Sequence, residues 1–158
     1  MARGKAHQVG ERVFHLMRGE VYEIYGNKFF TFGGARSSDK DRRVLGESWW
    51  IEEEPSLEEL EYGRKNFMAN LDEIDYVITH DTPIEARASI ERARKKPLED
   101  DYLLPGALEE WYQAIKDSPR FKKWYFGHMH VDQIINPQLR GLHNDILFLG
   151  EEEKVRWA

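Results

Sequence analysis

Three histidines stand where imidazoles can converge on one site. His80 closes the apolar run DYVIT, and His128 and His130 flank Met129 directly after WYFG. Neutral imidazole suits borderline divalent metals such as Zn²⁺ and Ni²⁺, whereas Mg²⁺ and Mn²⁺ prefer oxygen ligands. In extended backbone residues i and i+2 point to the same side, so a His-x-His pair can direct both rings to one place. Gly127 lets that backbone turn or be approached closely. The chain has no cysteine, so any metal would rest on imidazole and carboxylate. Asp81 and Asp132, each close to a motif histidine, could add oxygen ligands, although adjacent residues on a strand point apart. His7, His15 and His143 have no motif around them and read as surface or packing residues.

The elements that must position these side chains are legible from periodicity. From Arg12 to Phe32 short runs, VFHLM, VYEI and KFFTF, read as a meander with one hairpin, turning at Gly26-Asn27. GGARSS then leaves the last strand as a loop. Ser56, three residues before Glu59, has capping-box spacing, and Leu57, Leu60, Arg64, Phe67, Met68 and Leu71 repeat at helical period. DYVIT is a buried strand that carries His80 at its C-terminal end. The charged stretch from Ile84 to Asp101, with Arg87, Arg92 and Arg94, reads as a solvated helix or loop. Leu108, Trp111, Tyr112 and Ile115 make an amphipathic helix, and KKWYFG, VDQII, LRGLH and DILFL read as short strands. Strands alternating with helices, then a run of strands, imply an α+β domain with a mixed sheet and helices against it.

Composition bounds the function. A chain of 158 residues with 41% apolar and 13% aromatic residues can bury one real core. The net charge of -6 argues against sequence-independent binding to nucleic acid, which needs a clustered cationic face. The start, MARGKAHQVGERVFHLM, lacks the apolar run of a secretory signal, and no stretch approaches the roughly 18 apolar residues of a membrane span. The expectation is a soluble, cytoplasmic protein with no membrane partner.

Together the GGARSSDKDRR loop, SWWIEEEPSLEELEYGRKNF, VITHDTP and WYFGHMHVD resemble the C-terminal half of a calcineurin-like metallophosphoesterase, over roughly residues 12 to 149. The resemblance implies half of an α/β/β/α sandwich, with a mixed sheet and two main helices. Residues 1–158 would form one truncated domain, with 1–11 and 151–158 as flexible or partner-contacting ends. It also implies a divalent cofactor (Mn, Fe, Zn or Ni), with His80 and His128 on one metal and His130 on the other. Arg36, Ser37 and Asp39 would lie in a loop beside a phosphoester substrate.

The family's Asp-x-His, Gly-Asp and Gly-Asn-His segments do not occur here, and no aspartate precedes Asp39. One metal would keep two protein ligands and the other one. Two-metal hydrolysis needs both ions held about 3.5 to 4 Å apart, so no catalytic residue is assigned. The missing half would also leave an apolar sheet face open, which soluble proteins rarely do. A partner is therefore expected: a second copy of the chain, a separately encoded N-terminal half, or an unrelated protein. Three functions follow: a split or truncated hydrolase, an inactive binding or inhibitory protein of phage or defence type, or a decayed gene product.

Overall fold

The computed structural model describes residues 4–37, 39–95 and 102–149. The end at 151–158 and the close of the charged stretch, residues 96–101, lie outside them, as does Ser38. Two hairpins open the chain. Strands β1 (Ala6–Gly10) and β2 (Val13–Leu16) pair with each other in a sheet of their own. Strands β3 (Glu20–Ile24) and β4 (Asn27–Phe32) pair antiparallel. The expected single meander is thus two separate pairs, and residues 6–10 are a strand. Tyr25 and Gly26 form the second turn, one residue earlier than the sequence implied. Both have positive φ, 49° and 77°, the backbone that a two-residue turn needs to match strand twist. Tyr22 ties the pairs together, because its hydroxyl donates to the Lys5 carbonyl and accepts from the Met17 amide at 2.8 Å.

β4 continues into a six-stranded mixed sheet. Strands β5 (Tyr76–Thr79), β6 (Lys123–Phe126) and β8 (Leu139–Gly141) follow it in parallel, and β7 (Gln133–Ile134) closes the far edge antiparallel. Parallel neighbours need crossovers, which helices supply. Helix α1 (Leu57–Ala69) joins β4 to β5; α2 (Ile84–Arg94) and α3 (Leu103–Ile115) join β5 to β6. Among the described residues there are three α-helices, not two main helices. The extra one lies in the charged stretch read as solvated, and Arg87 and Ile90 on its inner face are buried. The four apolar residues of DILFL, by contrast, do not form a strand.

All three helices share one face of the sheet. Phe30 and Phe32 of β4, Val77 of β5 and Trp124 of β6 meet Phe67 of α1, Ile90 of α2 and Trp111 of α3 in one core. Ser56 caps α1 as its sequence predicts, accepting from the Glu59 amide at 3.2 Å. The buried stripe of α1 is rotated from the expected one: Leu57 is exposed, whereas Gly63 is buried. A Cβ on Gly63 would stand 2.6 Å from Phe32, so glycine is what lets α1 lie this close to the sheet.

The opposite face carries Phe29, Tyr76 and Tyr125, stacked at 5.3 and 6.4 Å and packed by Leu142 and Leu147. These three rings are buried, so the face is far less open than the sequence implied. On it, Ile78 is 42% exposed. Among the described residues no helix is long and apolar enough to cross a membrane.

Candidate functional site

The parallel register sets Thr79 of β5 beside Phe126 of β6, so the two strands end side by side. His80 follows one and Gly127-His128 the other. The His80 amide donates to the Phe32 carbonyl at 3.2 Å, and the Gly127 amide donates to the His80 carbonyl at 3.1 Å. These backbone bonds bring the imidazoles of His80 and His128 to 5.1 Å between centroids, tilted at 63°.

The Gly-His-Met-His segment reaches this geometry by a route that strand alternation does not describe. His128 and His130 both have left-handed backbone, φ 55° and 48°. Non-glycine residues pay about 1–3 kcal/mol for such conformations, which persist where the surroundings fix them. Here Met129 is buried between them, its amide donates to Gly127, and Arg94 of α2 donates to its carbonyl. The two rings consequently part company. His128 meets His80, whereas His130 stacks on His143 at 4.7 Å and 19°. His143, which no motif marks, is thus part of the cluster.

Both neighbouring aspartates accept hydrogen bonds from groups other than the imidazoles. The Asp81 side chain is fully buried, accepting from Arg87 at 2.6 and 2.8 Å, from the Thr82 amide at 2.7 Å and from the Tyr102 hydroxyl. Burial, then the charge of Asp81, pushes the Tyr102 phenol well above its ordinary value. Asp132 instead collects the amides of His143, Asn144 and Asp145 at 2.8, 3.1 and 3.0 Å. That cap holds the turn that carries His143.

A cavity of about 500 Å³ opens over the histidine pair, lined in part by Ser37, Trp50, Glu52, Glu53, His80 and His128. Its far wall forms where two loops close on each other. The Ala35 amide donates to the Glu53 carbonyl at 3.1 Å, and the Ser37 hydroxyl donates to the Glu53 carboxylate at 2.7 Å. Of the three loop residues singled out from sequence, Ser37 lines the cavity. Arg36 turns away to pair with Glu54 at 3.2 Å and to cover the Tyr102 ring at 4.9 Å. Asp39 pairs with Arg43 at 2.8 Å, and that hydrogen bond lowers its carboxyl from the usual range. Trp50, Glu53 and Tyr102 were not singled out, and Arg87 was read only as part of a solvated charge run. SWWIEEE flagged the first two only as part of a longer likeness, because no spacing rule places a loop opposite a strand end.

His80 opens to solvent on one side and His128 is half-buried. Burial of their inner sides lowers both pKa values; the charge of Asp81 opposes this for both, and neighbouring histidines add to it. Both imidazoles are therefore neutral at neutral pH, the form that binds metal. Two neutral imidazoles fit one borderline ion with water in its open positions. They do not fit a pair of ions, and among the described residues no group of three or more histidines and carboxylates is placed to hold one.

Stability should follow the same protons. The unfolded chain binds them near the ordinary histidine value of about 6.5, and the folded chain only at lower pH. The unfolded state thus gains protons first as pH falls, so stability present above about pH 6.5 drops below it and levels off under the folded values. A series of thermal melts from about pH 8 to about pH 5 should show this decline, and His80→Gln with His128→Gln should flatten it. An unchanged slope in the double variant would assign the decline to other groups.

No family model matches the chain, and no curated protein or solved structure matches it.

Proposed function

We propose that this chain is the histidine-bearing part of a metallophosphoesterase-like hydrolase whose carboxylate ligands come from outside these 158 residues. The observation that carries the reading is the meeting of His80 and His128 at adjacent parallel strand ends, under a cavity of small-molecule size. Phosphoester chemistry and the metal itself rest on the sequence resemblance. His80 and His128 would hold a divalent ion, which in such enzymes supplies Lewis acidity. His130, drawn to His143, would need a ligand set completed by the partner.

The chain alone is expected to leave p-nitrophenyl phosphate and its bis-ester intact in the presence of Mn²⁺. Turnover that disappears in His128→Ala would overturn the incompleteness of the site.

A second reading is favoured by the locking of Asp81 and Asp132 into structural roles: an inactive binding or inhibitory protein that keeps the fold without the reaction. Light scattering on size-exclusion fractions, with and without Mn²⁺, separates the two. Metal-dependent association with a carboxylate-bearing partner supports the hydrolase, and association indifferent to metal supports the binding protein.

A further inference from the structure

Tyr102 stands at the N-terminal boundary of α3 and is not among the residues that line the cavity over the histidines. Two parts of its side chain nevertheless reach two parts of that site. The hydroxyl accepts from Arg87 at 2.6 Å and donates to the Asp81 carboxylate, so its one proton is committed to Asp81. Asp81 also accepts from the Thr82 amide, and its carbonyl accepts from the Thr79 hydroxyl, which holds the turn directly after His80. The phenol ring makes the second connection. The Arg36 guanidinium lies 4.9 Å from its centroid, within the range of a cation–π contact.

Arg36 belongs to the loop that closes the cavity wall. The residues on either side of it, Ala35 and Ser37, bond to Glu53 at 3.1 and 2.7 Å, and Ser37 and Glu53 line the cavity. Arg36 instead bonds the next residue, Glu54, at 3.2 Å, and Lys40 reaches the same carboxylate at 3.2 Å. An unbroken run of contacts, Glu54 to Arg36 to Tyr102 to Asp81, therefore joins the wall to the turn of His80. Contiguity alone is not coupling. Here one guanidinium is the cation of both the Glu54 pair and the ring contact, so it cannot leave the wall without also leaving Tyr102.

We infer that Tyr102 is a positioning residue of the histidine site, which couples the closure of residues 35–37 against 53–54 to the turn that sets His80. It acts through Asp81 and not on the imidazoles themselves. The inference goes beyond the hydrolase reading and does not rest on it: no metal or substrate takes part, so either can fail while the other stands.

The test is nuclear magnetic resonance on the full chain, at one pH and without metal, for Arg36→Leu, Tyr102→Phe and the double variant. The Arg36 side chain is 34% exposed, so its loss does not threaten the core, and Tyr102→Phe keeps the ring while removing the hydroxyl. In Arg36→Leu the Ala35 amide should exchange about fivefold or more faster, and the imidazole resonances of His80 and His128 should shift. In the Tyr102→Phe background the same substitution should still speed the Ala35 amide but leave the imidazoles where Tyr102→Phe alone puts them. His7 and His15 on the first hairpin should stay in place throughout. A tyrosine that only fills space would leave the imidazoles unmoved in Arg36→Leu, and that result overturns the inference, as does an unchanged Ala35 amide. Equal imidazole shifts in both backgrounds overturn it too, because the effect then bypasses the hydroxyl. Movement of His7 and His15 along with the rest means a general loosening and has the same consequence. Should Tyr102→Phe fail to fold, Arg36→Lys takes its place: it keeps a cation for Glu54 and for the ring, and should return the imidazoles toward their parent positions. Shifts as large as those of Arg36→Leu would then overturn the inference.

Discussion

Replacing Arg87 by methionine should lower folding stability by about 3–5 kcal/mol, because it strands the Asp81 carboxylate in the interior without its partner. Side-chain exposure is 3% for Arg87 and 0% for Asp81, so solvent cannot take over the lost interaction. The Tyr102 hydroxyl and the Thr82 amide would still face the carboxylate, but neither carries a charge. Adding Asp81→Asn should recover part of the loss, since a buried ion pair itself costs several kcal/mol of desolvation that the neutral pair avoids. A double-mutant cycle in chemical denaturation reads the coupling directly. A loss under about 1 kcal/mol, the value of an exposed pair, would show the network to be far weaker than its burial implies. The site should register the change as well. The Asp81 carbonyl accepts from the Thr79 hydroxyl at 2.5 Å, and that hydroxyl accepts from Trp124 at 2.8 Å, which locks the turn that orients His80. In Arg87→Met the imidazole resonances of His80 and His128 should move, whereas those of the distant pair His7 and His15 should not.

Local rules reached some parts of this molecule and stopped short of others. The Ser56–Glu59 cap, the strand that ends at His80 and the amphipathic spacing of α3 are all short-range patterns, and each appears where it was read. Arg87 was misread for a physical reason: charge runs are usually solvated, and only a partner six residues away in sequence and fully buried makes this one an exception. The Gly-His-Met-His segment failed differently. Its extended reading assumed that the strand continued, but two successive left-handed histidines coil the loop around Met129. Positive φ is uncommon at non-glycine residues, and its enrichment at histidine is too weak a signal to read at one position, so the divergence of His128 and His130 was not readable. Glu53 and Trp50 face the histidines only through the closure of one loop against another, a tertiary contact that spacing cannot encode. The openness of the second sheet face was overestimated because Leu142 and Leu147 pack against the cluster of Phe29, Tyr76 and Tyr125.

Trp111→Ala should be as damaging as the loss of the buried ion pair, at about 3–5 kcal/mol. The residue is fully buried at the junction of α3 with β4 and α1, its ring 5.5 Å from Phe30, 5.1 Å from Phe32 and 5.6 Å from Phe67. Truncation removes one partner from each of these ring pairs and leaves a void that the clamped neighbours cannot fill. Trp111→Phe is the more telling variant. Among the described residues the indole N–H finds no hydrogen-bond partner, and a buried donor left unmade costs about 1–3 kcal/mol. Phenylalanine sheds that penalty while keeping an aromatic ring against Phe30 and Phe32, so its smaller volume should cost less than about 1.5 kcal/mol in net. A Cβ on Gly63 would lie 3.1 Å from the outer edge of the Trp111 ring, so the shorter ring also relaxes the closest approach of α1. Denaturation of the two variants side by side decides the matter. If Trp111→Phe loses as much as Trp111→Ala, the indole nitrogen has a partner in solution, and the core is held by a polar contact as well as by ring packing. The imidazole resonances of His80 and His128 should be the same in Trp111→Phe as in the parent chain, because Trp111 packs among the core rings and is not among the residues that line the cavity over the histidines.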